Sequence, residues 1–390
     1  MLQNNMHDTH TCEGHPVQPV IDEYLSQFSE STGYVNFSSV GPLSKAVKET
    51  CIRLDDEFAA AGPDTVDDMM AIADDVSARI APLVGRRGDE VVMQPNTSEG
   101  LFHVAFSLPK IQGRVPRVLV NRNEFPANYY PWKRAESAGL LQVWSFSGNA
   151  SADNIAGQLD GIDVVALSAV DYRTGYKADL AQIREAIGNR LMVVDGIQSF
   201  GASDNHWDQA DVLLVGGQKW LRAGWGTGFM ACSPRAKEIC TRPLLSGWSG
   251  AVNAHDYDGA IHDPMRGAAA FSMTKLSPMA AGRLGAAIDL FTSVGVDWIS
   301  ERIQTFAVRL ADDVARLGGQ LIRDSDPLHW SNVLPISFEG KDIARIGAHL
   351  HDAGVTCSVH PQTIRITPHA TTTKETYELL VNSLSEALRS

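Results

Sequence analysis

Short apolar runs, each closed by a polar or glycine-rich break, recur along the chain at 90–94, 117–121, 141–146, 164–170, 191–195, 211–215 and 228–232. Several are apolar along their whole length instead of alternating, which is the pattern of strands covered on both faces. Helical spacing fills the stretches between them. Two helices are predicted ahead of the first strand, near 44–60 and 66–82, the second with Asp64 or Thr65 as its cap. After about residue 285 the texture changes. One long helical pattern covers 283–317, followed by shorter strand and helix patterns at 332–338, 341–353, 355–367 and 374–389. Strands alternating with helices predict an α/β fold with a large, mostly parallel sheet domain, and the tail predicts a smaller α+β C-terminal domain. The expected division is an N-terminal segment, 1–42, packing on the small domain and the active site, then a large domain, 43–285, and a small domain, 286–390.

A chain of 390 residues has room for such a pair of domains. Its 44% hydrophobic and 20% charged residues are ordinary for a globular protein. The net charge of −13 argues against a nucleic-acid partner, which calls for a basic footprint. It leaves room for a phosphate held by backbone amides and a few local cations. No run of eighteen apolar residues occurs, so no membrane span is expected. The polar N-terminus has no signal-peptide core. Cysteines at 12, 51, 232, 240 and 357 are scattered and odd in number, which suits reduced thiols in a cytoplasm. His7, His10, Cys12 and His15 lack a regular ligand spacing, and no metal is expected.

In open α/β sheets, ligands bind beyond the carboxyl ends of the strands. Two successive strand ends carry charge here. The apolar run 191–195 ends in Asp195, followed by Gly196 and Gln198. Burying a carboxylate is costly unless it meets a cation or a donor, and a pyridinium N–H is both. The run 211–215 leads into Gly216-Gly217-Gln218-Lys219-Trp220 and then a turn with glycines at 224, 226 and 228. A desolvated lysine loses its proton and can attack a carbonyl. Either residue alone also fits a turn or cap, but together they point to one site. Asn96-Thr97-Ser98-Glu99-Gly100 follows the first strand and opens a helix. Hydroxyls and free N–H groups there suit a phosphate, although the same residues also read as a capped helix start.

The Asp195-x-x-Gln198 and Lys219-Trp220 pairs resemble those of class V aminotransferase-type proteins, in the fold type I pyridoxal-phosphate (PLP) superfamily. That group includes cysteine desulfurases, isopenicillin-epimerase-like and kynureninase-like proteins and C–S lyases. The resemblance runs from about residue 33 to the end. It implies pyridoxal 5′-phosphate as cofactor, held as a Schiff base on Lys219, which is also the general base. It implies Asp195 at the pyridine nitrogen, Gln198 at the phenolic oxygen, and Thr97, Ser98 and Gln218 at the phosphate. Gln218 and Gly216 stand where relatives commonly have His and Ser or Thr, so part of the phosphate contact must come from elsewhere. Thr274-Lys275 stands where relatives carry a Gly-Thr pair that reaches the neighbouring subunit's phosphate, which implies a homodimer with shared active sites. Phe125 takes the place of a ring-stacking histidine, an aromatic face for the pyridine. Tyr172 is placed near the cofactor's O3′ or the substrate, with Arg173 and Tyr176 as further pocket candidates. Arg365 matches the family's clamp for a substrate carboxylate. Trp248 would roof the pocket, with Trp225 and His255 as other candidates, and residues 34–42 resemble the segment that closes its far side.

The expected function is that of a PLP-dependent enzyme acting at Cα and Cβ of a small-molecule amino-acid substrate. An aromatic pocket suits a bulky or sulfur-linked side chain, which favours C–S cleavage by β-elimination of a cysteine S-conjugate. Aminotransfer or decarboxylation-linked deamination uses the same Asp195–Lys219 core. A cysteine desulfurase is disfavoured because Cys357 falls in an expected strand, 355–359, and not on a loop. The intact Asp195, Lys219 and Arg365 argue against a non-catalytic protein of this fold. A nicotinamide-binding protein is disfavoured by the lack of a G-x-G-x-x-G after the first strand.

Overall fold

The structure, a computed structural model, describes residues 16–236, 239 and 243–389. His7, His10, Cys12, His15 and Cys240 lie outside the described residues. Seven strands form a large sheet: β1 (Val91–Met93), β2 (Arg117–Asn121), β3 (Gln142–Phe146), β4 (Val164–Ser168), β5 (Leu191–Asp195), β6 (Val212–Gly216) and β7 (Gly228–Cys232). Their order is β1-β7-β6-β5-β4-β2-β3. β7 runs antiparallel to both its neighbours, and the other pairs are parallel. Along the central strands alternate residues enter opposite cores. Val165, Leu167, Val194, Leu213 and Val215 face one, and Val164, Ala166, Val193, Val212 and Leu214 face the other. Both faces are covered, which is why these strands read as unbroken apolar runs. Truncating one such leucine to alanine costs about 2–5 kcal/mol.

A second sheet holds β8 (Gln320–Leu321), β9 (Leu334–Ser337), β10 (Ser358–Val359) and β11 (Ile364–Ile366), antiparallel throughout, in the order β10-β11-β9-β8. Helices Ile343–Asp352 and Lys374–Arg389 set Ile346, Leu350, Leu380 and Leu384 against Ile336, Ile364 and Ile366. The α/β architecture with a large, mostly parallel sheet and a smaller α+β unit is the one the hydrophobic pattern predicts.

Two expectations need correction. The pattern over 283–317 is two helices, Pro278–Val294 and Val296–Arg316, bent by 76°. Between them Gly295 has φ 76° and ψ 156°, a conformation nearly confined to glycine. The bend sends Leu284 and Ile288 into the large core and Leu310 and Val314 into the small one. The apolar period runs on across the break because each helix serves a different core. The strand expected at 355–359 shortens to β10, leaving Cys357 just outside it. Among the described residues, no single helix is long and apolar enough to cross a membrane.

Residues 33–41 form a strap. Val35 N donates to Thr356 O (3.0 Å) and Thr367 N to Val35 O (2.8 Å), which lays the strap along the small sheet. Gly41 N then donates to Gln218 O (2.8 Å), at the residue before Lys219. The N-terminal segment thus bridges the small sheet and the lysine loop.

Candidate active site

A cavity of about 370 Å³ opens where β4, β5 and β6 end. Its floor is Ser168, Asp195 and Lys219, and Thr97 and Ser98 at a helix start close one side. Phe125 and Tyr172 form an aromatic wall, their rings edge-to-face at 5.3 Å. Ser38 and Ser39 of the strap and Arg365 of β11 close the far side. Gln198 and Gln218 complete the lining. Parallel register sets Ser168 beside Asp195 on neighbouring strand ends, and Lys219 follows the next strand in the sheet.

The low-dielectric setting shapes the charges. Burial pushes the Asp195 carboxyl up to about 6, against the opposing pull of the Ile197 N–H and of Lys219. Burial drives the Lys219 amine down to about 8, with Asp195 opposing the shift and Arg365 adding to it. The Lys219 ammonium lies 5.8 Å from the centre of the Phe125 ring. Such an amine is a base at mildly alkaline pH, and such a carboxyl waits for a cationic partner.

The residues at the helix start fit a phosphate. Thr97 Oγ1 is buried and has no hydrogen-bond partner, and Asn96 caps the helix by accepting from Glu99 N at 2.9 Å. The glycine at 216 now has a reason. A Cβ there would stand 2.6 Å from Gln218 Oε1, 2.9 Å from Ile197 Cδ1 and 3.2 Å from Thr97 Oγ1. It would fill the cradle that the hydroxyl faces. An orphaned hydroxyl at a helix N-terminus, a buried carboxylate and a depressed lysine together match the donor set of a phosphorylated pyridine aldehyde.

Arg365 is 6% exposed and held from three sides. Its Nη1 donates to Tyr172 O (2.9 Å), and its Nη2 donates to Ser39 Oγ (3.1 Å) and Ser358 Oγ (3.0 Å). Its Nε is buried without a partner. The Gln198 amide is already engaged, donating to Ser38 O (3.0 Å) and accepting from Trp220 Nε1 (3.3 Å). One of its N–H bonds remains for a phenolic oxygen.

Other sequence candidates fall outside the cavity. Trp248 is half-exposed beside His255, on a separate groove of about 980 Å³ bounded by Pro243 and Pro264. Thr274 and Lys275 are exposed and do not line this chain's cavity. Trp225 points to solvent. Arg173 pairs with Asp171 (2.8 Å), and Tyr176 stacks on His329. These placements have one cause: aromatic and cationic residues near a motif carry no sequence signal for which surface they face.

Sequence reasoning also passes over residues that the fold brings in. Glu124 precedes Phe125, and its carboxylate accepts from Ser168 N (2.8 Å) and Ser168 Oγ (2.5 Å). Burial pushes it up to about 7, partly offset by those bonds and reinforced by Asp195 and Asp171. An acidic residue directly after a turn asparagine offers no pattern that separates it from surface. Within the 34–42 segment, which the sequence does mark, the particular contact of Asn36 emerges only from the fold: it accepts from Ser39 Oγ (2.9 Å) and Ser358 Oγ (2.8 Å).

Fold and cavity together are those of an α/β protein whose buried lysine, carboxylate and helix start suit a phosphorylated aldehyde. The family model for class V aminotransferases matches residues 54–373, and the chain belongs to that family. It is a PLP-dependent enzyme that acts on amino acids. Over 256 residues the chain is 29% identical to a kynureninase of Deinococcus radiodurans, a match spanning 64% of this chain and 60% of that protein. The solved complex of the cystine C–S lyase C-DES with cysteine persulfide superposes with a TM-score of 0.81 at 20% identity, covering 91% of this chain and 98% of the other. A cysteine desulfurase from Thermococcus onnurineus NA1 gives 0.80 at 18% identity, with 95% and 96% covered. At these identities the two structures share the fold with this chain.

Proposed function

We propose that the enzyme cleaves the Cβ–S bond of a cysteine S-conjugate by β-elimination. One observation carries the reading. A depressed lysine and a guanidinium face the same cavity, the wall between them is Phe125, Tyr172 and Val170, and no described cysteine lines it. Cys357 is half-buried and its thiol is pushed up to about 11 by burial, the opposite of an activated nucleophile. In this reading Thr97, Ser98 and Gln218 hold the cofactor's phosphate, Asp195 its ring nitrogen and Lys219 its aldehyde carbon. When bound, the cofactor supplies an electron sink for charge developing at the amino acid's Cα. Arg365 holds the substrate carboxylate, and Lys219 Nζ takes the Cα proton. The C–S electron pair then leaves on sulfur as a thiolate.

The 29% identity to a kynureninase favours a second reading, a kynureninase-type activity in the same aromatic pocket. Holoenzyme incubated separately with an S-alkyl cysteine and with kynurenine distinguishes the two. Pyruvate and free thiol from the cysteine conjugate support the lyase. Loss of the kynurenine chromophore alone overturns it in favour of the second reading. Conversion of the cofactor to its amine form without thiol release indicates aminotransfer instead.

We also infer that the enzyme works as a homodimer. Tyr257 and Ile261 are almost wholly exposed on the segment that carries Trp248, an apolar surface that calls for a cover. Thr274 and Lys275 lie on an exposed stretch, where the family resemblance sets them against a neighbouring subunit's phosphate. Sedimentation of the holoenzyme checks this, and a monomer at working concentration overturns it.

A further inference from the structure

The Arg365 guanidinium is not open to a carboxylate as it stands. Two-point recognition uses one of two edges, Nε with Nη2 or Nη1 with Nη2, so either edge needs Nη2. Nη2 already donates to two serine oxygens that lie 3.4 Å apart, Ser39 Oγ at 3.1 Å and Ser358 Oγ at 3.0 Å. The unused N–H groups are Nε–H and one hydrogen on Nη1, which do not share an edge. A carboxylate that binds in the two-point manner therefore competes with the two serine oxygens for Nη2.

The two serines are not equivalent. Ser358 sits at the start of β10, paired in register with Arg365 itself on β11. Ser39 lines the cavity from the exposed part of the strap, beyond the last strap residue bonded to the small sheet. Both hydroxyls donate to Asn36 Oδ1, at 2.9 Å from Ser39 and 2.8 Å from Ser358, so each turns its lone pairs toward the guanidinium. The two oxygens are 3.4 Å apart, close to a doubly bonded arrangement around one acceptor.

We propose that Ser39 is a placeholder for the substrate carboxylate. Its hydroxyl oxygen occupies one hydrogen-bond position on Arg365 Nη2 and gives it up when the amino acid enters, while Ser358 and the Tyr172 carbonyl keep the guanidinium in place. The inference rests on the reading of Arg365 as carboxylate anchor. It makes Ser39 a residue that sets affinity for the α-carboxylate, acting through Arg365 and not on the reacting atoms. A strap side chain near neutral in energy there keeps a buried cation solvated when the site is empty, a state that would otherwise leave more than one donor orphaned.

The test uses holoenzyme titrated with glycine, followed by the visible absorption of the lysine-bound cofactor, with methylamine as the ligand that lacks a carboxylate. Ser39→Ala should bind glycine roughly 2- to 10-fold more tightly, the worth of one net hydrogen bond no longer displaced, and leave methylamine unchanged. Ser358→Ala should bind glycine no better than the unsubstituted enzyme. If Ser39→Ala weakens glycine binding, Ser39 donates to the substrate and the placeholder idea is wrong. Unchanged glycine affinity in Ser39→Ala also overturns it. Arg365→Lys separates the two levels of the argument. If that variant discriminates glycine from methylamine as well as the original, the anchor assignment itself fails, whatever Ser39 does.

Discussion

The two ends of the cavity manage charge by opposite means. At the large-sheet end, Asp195 and Lys219 emerge from apolar strands, and loss of water is the largest influence on both, moving the acid up and the base down. Few hydrogen bonds hold them. At the small-sheet end, Arg365 is also desolvated, and burial lowers its affinity for protons, but three protein oxygens surround it. The first arrangement stores an electrostatic cost that a cofactor's cationic ring relieves. The second prepays the desolvation of a cation with hydroxyls that a substrate can replace. A reactive end is built by withholding partners, and a binding end is built by lending them.

The largest expected effect breaks the reactive end outright. Lys219→Ala should lower turnover by at least roughly 10²–10⁴, the usual worth of a positioned general base. It should also abolish the absorption band of the lysine-bound cofactor, which a spectrum before and after added PLP reads directly.

Asp195→Asn sharpens the contrast because its sign depends on the cofactor. The carboxyl has an ordinary value of 3.8 and about 6 in the fold, so the folded state favours its protonated form. That contribution to stability is intact below about pH 4 and is lost as pH rises through 6. Moving the carboxyl from 3.8 to about 6 is worth about 3 kcal/mol. Asp195→Asn should therefore stabilise the cofactor-free protein by about 2–3 kcal/mol at pH 8 and by almost nothing at pH 4, read from urea midpoints. With cofactor present it should do the reverse and speed cofactor loss on dialysis. Destabilisation of the cofactor-free variant at pH 8 would mean that the carboxylate is well solvated in the empty site.

The reactive end was legible in sequence and the binding end only in part, for a physical reason. Asp195 ends one apolar strand and Lys219 follows the next strand by three residues, and a charge in such a position is anomalous within a window of ten residues. Arg365 could be matched by its strand, but its surroundings could not. Ser39 reaches it across 326 residues of chain and Asn36 reaches its neighbour Ser358 across 322, and no local pattern encodes such contacts. The same limit applies to Glu124, whose partner Ser168 lies 44 residues away. The 76° break at Gly295 was hidden because both helices keep an apolar face. Trp248 was chemically apt, but it lines a separate groove, and which surface an aromatic faces is set by tertiary packing and not by residue type.

Arg365→Lys tests the lending end. An ammonium cannot keep the Tyr172 carbonyl, Ser39 and Ser358 together while meeting a carboxylate at two points. KM for the amino acid should rise roughly 10- to 100-fold, in keeping with one charge-assisted hydrogen bond lost, with a smaller change in kcat. A fall in kcat alone would move Arg365 from the binding end to the reactive one.

Tyr172 lies between the two ends and gives the smallest and most diagnostic effect. Its backbone carbonyl serves Arg365, its ring meets Phe125 edge-on, and among the described residues none is hydrogen-bonded to its hydroxyl. Tyr172→Phe keeps the first two contacts and removes only the third. The cofactor-free protein should then keep its stability to within about 0.5 kcal/mol, since a surface-like hydroxyl is deleted without a cavity. If the hydroxyl donates to bound cofactor or substrate, turnover should fall by up to about 10-fold, the scale of a single neutral hydrogen bond. The division of that loss assigns the hydroxyl to one end of the cavity. A change confined to KM places its partner on the substrate, with Arg365. A change in kcat with a shifted cofactor absorption places it at the ring, with Asp195 and Lys219. No change in either parameter would leave Tyr172 as a wall whose carbonyl alone matters, and the boundary between the two ends would then run through its backbone.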